Sequence, residues 1–175
     1  PKFIEKYNPR IGLITLASDF RIEKDFNKIV YDKEIDLFCN RIKSYNPLTN
    51  ETLKKMADDI PRVAGNILPN EKLDCIAYGC TSGTIAAGYE SIFEKVNIAK
   101  PNTKVTTPIT SAINAIKTLS IKRLSIFTPY TDEINQSVIN YFKKENVNIS
   151  ELSYFDIASD LDIGKVDPDY LFEAL

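Results

Sequence analysis

The 175-residue chain contains no histidine. That absence removes Ser-His-Asp and Cys-His nucleophilic chemistry, along with His-ligated metal sites. Acid–base work then falls to Cys, Asp, Glu, Lys or Tyr. Cysteine is scarce: Cys39, Cys75 and Cys80 make an odd number with no disulfide-like framework, which fits a reducing compartment. Cys75 and Cys80 have no further Cys or His to complete four ligands, so no metal site is expected. No apolar run approaches the roughly 20 residues that span a bilayer, and no signal-peptide pattern opens the chain. A cytoplasmic protein without a membrane partner is expected. A basic excess is also missing, since 22 Lys and Arg face 24 Asp and Glu for a net charge of −2. That balance leaves no electrostatic footprint for nucleic acid.

What is present is an ordinary globular composition, 43% hydrophobic and 26% charged, enough for one domain with a sizeable core. Short apolar runs alternate with helical patterns. Strands are predicted at Ile11 to Ala17, Ile35 to Cys39, from Leu73, at Lys104 to Thr107, Arg123 to Phe127 and Ile149 to Phe155. Helices are predicted from about Arg21 to Lys33, from Glu51 to Asp59 after a Thr49 or Asn50 cap, and from Ile109 to Leu119. A further helix runs from a Thr131 or Asp132 cap to about Lys144, and another starts at Asp167-Pro168. Pro61 is placed to kink or end its helix. The alternation predicts an open α/β fold with a mainly parallel sheet and helices on both faces.

The stretch from Leu73 to Thr84 organises the rest. Its apolar start reads as a buried strand, and it ends on Gly79-Cys80-Thr81-Ser82-Gly83 before a helical pattern begins at Ile85. Such a turn aims free backbone N–H groups beyond the strand end. A cysteine there is expected to have a lowered pKa and to favour the thiolate. Parallel sheets bind ligands outside the carboxyl ends of their strands. Here those ends carry Ser18-Asp19, Cys80-Thr81-Ser82, Thr106-Thr107 and Thr128 to Tyr130, a set of short donors suited to a small carboxylate. Cys75 and Cys39 read as packing residues. Asp19 is placed either to cap the helix from Arg21 or to touch substrate, and Tyr130 either to pack beside Pro129 or to face the ligand.

A weak internal echo relates Leu13 to Ile22 with Leu124 to Glu133. Aligning Asp19 with Tyr130 gives an offset of about 111 residues, which carries Cys80 to about position 191, beyond Leu175. The expectation is a first half over about 1–108 and a second half from about 109 that is incomplete at 175.

Tyr78-Gly79-Cys80-Thr81-Ser82-Gly83-Thr84, Val105 to Thr110 and Phe127-Thr128-Pro129-Tyr130 together resemble the aspartate/glutamate racemase superfamily. The nearer branch contains maleate cis-trans isomerase, arylmalonate decarboxylase and the ectoine-utilisation protein A group. The resemblance implies two pseudo-symmetric halves, no cofactor, no metal, a homo-oligomer, and a site between the halves with a cysteine from each. One thiolate takes a proton α to a carboxylate and the other thiol returns one. In the isomerase branch the first cysteine adds to the double bond. Cys80 matches that cysteine, Tyr130 the pocket tyrosine, and Thr81 and Ser82 the donors that hold a carboxylate.

Two departures stand out. The second-half cysteine is absent from these residues, consistent with the offset, and Asp19 stands where the maleate isomerase pattern has asparagine. A carboxylate there repels a dicarboxylate and holds an ammonium group, which points to an amino-acid-like or ectoine-derived substrate. The expected function is racemisation or isomerisation next to a carboxylate, with Cys80 as base or nucleophile. Tyr130 assists, while Ser18, Asp19, Thr81, Ser82 and Thr128 bind substrate. The alternatives are a single-cysteine decarboxylase of malonate-type acids and a non-catalytic small-anion binder.

Overall fold

The computed structural model describes residues 1–4 and 6–174. Its strands pair only in parallel. β1 (Arg10–Leu16) lies between β2 (Asp36–Ile42) and β3 (Cys75–Tyr78), and β4 (Lys104–Thr106) pairs with the outer side of β3. Leu13 of β1 sits level with Cys39 on one side and Ala77 on the other. The unbroken apolar run of β1 reflects this central place, since Leu13 and Ile14 are both fully buried. β5 (Leu124–Thr128) and β6 (Ile149–Tyr154) form a second, two-stranded parallel sheet. The architecture is α/β, with parallel sheets flanked by helices. All six expected strands are present, divided between two sheets.

The helices follow local rules. α1 (Ile22–Val30) begins just after Asp19, whose Oδ1 accepts from the N–H groups of Arg21 and Ile22 at 2.7 and 3.0 Å. α2 (Asn50–Ala57) starts on a capping box in which Thr49 and Thr52 each satisfy the other's backbone N–H. Pro61 neither kinks nor ends α2. It lies in the first turn of a separate short helix, α3 (Ile60–Gly65), where a missing N–H is harmless. α6 (Pro108–Thr118) repeats the capping box with Thr107 and Thr110. α7 (Asp132–Lys144) crosses from β5 to β6, and α9 (Pro168–Glu173) starts on the Asp167 cap.

Three features depart from the sequence expectations. The helix after Cys80 starts at Thr81, four residues earlier than its apolar pattern, as α4 (Thr81–Ala87). It stops at Gly88, whose φ of +84° and ψ of 141° belong to glycine, and the chain resumes as α5 (Tyr89–Ala99). Cys39 is exposed rather than packed, because β2 is an edge strand and the residue lies on its outer face. A short helix absent from the sequence reading, α8 (Asp160–Ile163), follows β6 under a Ser159 cap.

The main core gathers Ile14, Ile42, Leu53, Ile60, Val63, Ile76, Tyr78, Ile92 and Val96 around the first sheet, and Cys80 belongs to it. A second cluster of Ile109, Ile113, Ile116, Val138 and Phe142 joins α6 to α7, and Tyr130 packs against both clusters. Residues 155–164 fasten the sheets together. Phe155 and Ile157 donate backbone N–H bonds to Thr128 and Pro129 of the β5 end, at 3.1 and 2.9 Å. On the other side, Leu48 N–H donates to Ala158 O at 3.1 Å, Asp160 N–H to Asn46 Oδ1 at 3.2 Å, and Arg21 Nε to Gly164 O at 3.0 Å. Among the described residues no helix is long and apolar enough to cross a membrane.

Candidate active site

Tyr78 ends β3, and Gly79 continues the ladder by donating its N–H to Ile14 O at 2.8 Å. A side chain at Gly79 would meet Ile22 Cδ1 at 2.7 Å and Ile14 O at 3.3 Å, so glycine lets the chain pass close to α1 without displacing Ile22. Cys80 then takes an extended conformation (φ −134°, ψ 109°) and caps α4 with its own sulfur: Gly83 N–H donates to Cys80 Sγ at 3.2 Å. Ser82 Oγ lies 3.9 Å from the same sulfur. The backbone is held as firmly, because Cys80 O accepts from Thr84 N–H at 3.1 Å and from Thr84 Oγ1 at 2.7 Å.

Tyr130 reaches this point from the second sheet. Its carbonyl accepts from Asn135 Nδ2 at 3.0 Å, and Thr128 Oγ1 donates to Asn135 Oδ1 at 2.6 Å. The Tyr130 hydroxyl lies against Ser82 and Thr81 and close enough to Cys80 to feel its charge. Asp160 approaches from α8, accepting a hydrogen bond from Ser18 Oγ, which is itself 2.9 Å from Ser44 Oγ. The structure therefore brings together Cys80, Thr81, Ser82 and Tyr130, with Ser18 attached through Asp160. Thr128 does not face the sulfur, because its buried hydroxyl is committed to Asn135 and so supports the turn that carries Tyr130. Asp19 turns its carboxylate oxygen to the start of α1.

The electrostatics reverse the expectation of a lowered thiol pKa. Cys80 is 4% exposed, and burial pushes its thiol up to about 11. The Gly83 N–H and the Ser82 and Tyr78 hydroxyls favour the thiolate without matching that penalty, and the Asp160 carboxylate adds to it. Tyr130 is pushed up to about 12 by burial first and then by Cys80, against the opposing hydrogen bonds from Ser82 and Thr81. The Asp160 carboxyl is also raised, chiefly by burial, with Asp19 adding and Ser18 opposing. The arrangement is a neutral thiol among hydroxyl groups, with an acidic side chain near enough to act on its charge. A mostly apolar cavity of about 260 Å³ adjoins the strand ends beside Tyr78, Gly79, Thr106 and Thr107 without touching the sulfur. Among the described residues no cluster of three or more His, Cys, Asp or Glu side chains is placed to hold a metal ion.

Sequence reasoning missed Asp160 and Tyr78. The first lies 142 residues from its Ser18 partner on a helix of four residues, and the second reads as plain core.

This geometry sits on a shared architecture. The pattern of the arylmalonate decarboxylase family matches residues 46–175, and the chain belongs to that family. It is 25% identical over 178 residues to the maleate isomerase of Geobacillus stearothermophilus, covering 94% of this chain and 70% of that protein. Among solved structures, a mutant of the Nocardia farcinica maleate cis-trans isomerase with a covalently bound succinylcysteine intermediate superposes with a TM-score of 0.83 at 18% identity, over 95% of this chain and 71% of that one. A mutant of arylmalonate decarboxylase in its liganded form gives 0.71 at 18% identity, over 94% and 69%. These superpositions establish the same fold, in the branch that the Gly-Cys-Thr-Ser-Gly and Thr-Pro-Tyr motifs resemble.

Proposed function

We propose that this chain carries out cofactor-independent isomerase or racemase chemistry at the carbon next to a carboxylate of a small organic acid, with Cys80 as the reacting group. The observation that carries the reading is Cys80 Sγ at the start of α4, accepting from Gly83 N–H with Ser82 Oγ 3.9 Å away, while Tyr130 packs from the second sheet against the same core cluster. Likeness to maleate isomerases supports it. In the isomerase route the ionised Cys80 sulfur adds to one carbon of the double bond, and the electron pair passes into the carboxylate beyond as an enediolate. Rotation about the new single bond and loss of the thiolate then restore the double bond in its trans form. Thr81, Ser82 and the start of α4 offer donors to the enediolate, where losing one such donor costs about 3 kcal/mol.

A second reading is favoured by the thiol's being held neutral. A neutral thiol suits proton donation. A malonate-type acid would lose carbon dioxide, leave its bonding pair on the α-carbon as an enediolate, and take the Cys80 proton there.

The carboxylate whose charge acts on the sulfur is Asp160, whereas Asp19 accepts from the N–H groups at the start of α1. Asp160, rather than Asp19, is then the carboxylate that would hold the ammonium group of an amino-acid-like or ectoine-derived substrate.

The test follows maleate, phenylmalonate and aspartate separately by proton NMR in D₂O, with wild type and Cys80→Ala. Fumarate formation, decarboxylation or deuterium at the α-carbon, each abolished in Cys80→Ala, supports the corresponding route. Folded wild type that transforms none of them, or transforms them equally well without Cys80, overturns the reading.

A further inference from the structure

Buried polar atoms in folded proteins nearly always have partners, so an exception calls for a reason. Among the described residues three buried side-chain polar atoms have none of ordinary geometry: Arg10 Nε, Thr15 Oγ1 and Tyr78 OH. The Arg10 guanidinium is engaged elsewhere, with Glu71 at 2.8 Å and over the Tyr7 ring. Thr15 is the next-to-last residue of β1, and its hydroxyl is not among the groups acting on Cys80. Tyr78 differs in where its hydroxyl ends.

Tyr78 is fully buried at the last position of β3. A Cβ added to Gly83 would stand 2.8 Å from Tyr78 OH and 2.8 Å from Cys80 Sγ, with Met56 Cε at 3.0 Å. The phenol and the thiol thus flank one point, and they face each other because residue 83 has no side chain. Burial keeps the phenol protonated, well above its ordinary value, so it remains a donor wherever the thiol begins to ionise. The other groups around the sulfur are Gly83 N–H and Ser82 of α4, Tyr130 after β5, Asp160 of α8 and the uncharged Met56 of α2. Asp160 opposes ionisation, and the Tyr130 hydroxyl also has Ser82 and Thr81 beside it.

We propose that Tyr78 is a positioning residue, a buried hydroxyl kept free to donate to the Cys80 sulfur when that sulfur carries negative charge. The proposal rests on the reading of Cys80 as the reacting group. A donor aimed at developing charge in a dry site strengthens as the charge forms, because no water competes for it. An unpartnered hydroxyl contributes little while the thiol is neutral, which sets this role apart from a structural one.

The test is Tyr78→Phe in the full chain. Cys80 alkylation by iodoacetamide is followed by mass spectrometry between pH 8 and 10, where rate tracks thiolate population, with Cys39 and Cys75 as internal references. Loosened packing would speed labelling, whereas a lost donor slows it. The expected result is a Cys80 rate about threefold or more below wild type, unchanged Cys39 and Cys75 rates, and a melting temperature equal to or above wild type. A Cys80 rate equal to or above wild type overturns the proposal. Gly83→Ala keeps the hydroxyl and wedges a methyl group between it and the sulfur, and it is expected to slow Cys80 likewise; a wild-type rate there also overturns the proposal. If Cys80→Ala leaves turnover intact, the reading of Cys80 falls on its own, since the labelling comparison does not depend on turnover.

Discussion

Raising the pH tests the environment of Cys80 through stability, and the sign of the response decides between burial and helix activation. Burial pushes the thiol up to about 11 in the folded chain, from an ordinary value of 9.0. A folded pKa above the unfolded one means that the native state holds its proton longer. The associated stability is fully present below pH 9 and is lost as pH rises through 11. Integrating between those two pKa values, wild type loses about 2 kcal/mol between pH 7.5 and pH 10.5 from this one group, and about 3 kcal/mol by pH 12. No discount for solvent screening applies to a side chain that is 4% exposed. Cys80→Ala is less stable throughout because it leaves a small cavity, but that loss does not depend on pH. The assay is urea unfolding of both proteins at pH 7.5, 9 and 10.5. The stability gap between them is expected to narrow by about 2 kcal/mol over that range. Tyrosine and lysine titrations occur in both proteins and largely cancel. A thiol with a depressed pKa would give the opposite sign: its stabilisation would persist at high pH and vanish on acidification. A gap that stays constant or widens with rising pH refutes the burial argument.

Further predictions concern the surroundings. Asp160→Asn removes a half-buried carboxylate whose pKa is raised while leaving an oxygen for Ser18, so its urea midpoint at pH 7 should exceed that of wild type, with the advantage fading on acidification. The same variant should bring the high-pH loss due to Cys80 to smaller size, because a charge opposing the thiolate is gone. Gly88→Ala meets no atom within 4 Å, so its cost is purely conformational, about 1–3 kcal/mol by chemical denaturation. Thr49→Ala removes one partner of the α2 capping box and should cost about 1 kcal/mol in the same assay.

What the sequence made legible divides along physical lines. The strands were readable because Ile11 to Leu16 or Leu124 to Phe127 are apolar runs too short for helices, a signal that survives without tertiary context. The start of α4 was not, because Thr81-Ser82-Gly83-Thr84 are poor helix formers and are held there by the Cys80 cap and the Gly79 turn. The position of Cys80 at a strand end was legible. Its pKa was not, because burial is set by the whole core packed around the sulfur, and the opposing charge of Asp160 comes from a remote part of the chain. Asp19 and Thr128 are polar residues at strand ends in the sequence, and only the hydrogen bonds of Arg21, Ile22 and Asn135 show that each side chain is already occupied. Tyr78 follows the apolar alternation of a core strand, and no local pattern reports where the far end of a long ring terminates.

Residues 155–164 do two jobs with one length of backbone: they carry Asp160, whose charge acts on Cys80, and they bind the end of β5 to the turns following β1 and β2. A molecule that reaches Cys80 by moving this segment must loosen that fastening, so admission is opposed by the cohesion between the two sheets rather than by the strength of either. Weakening that seam at Asn46, Leu48 or Arg21 is therefore expected to raise the rate at which an alkylating reagent reaches Cys80, with no change at the sulfur itself.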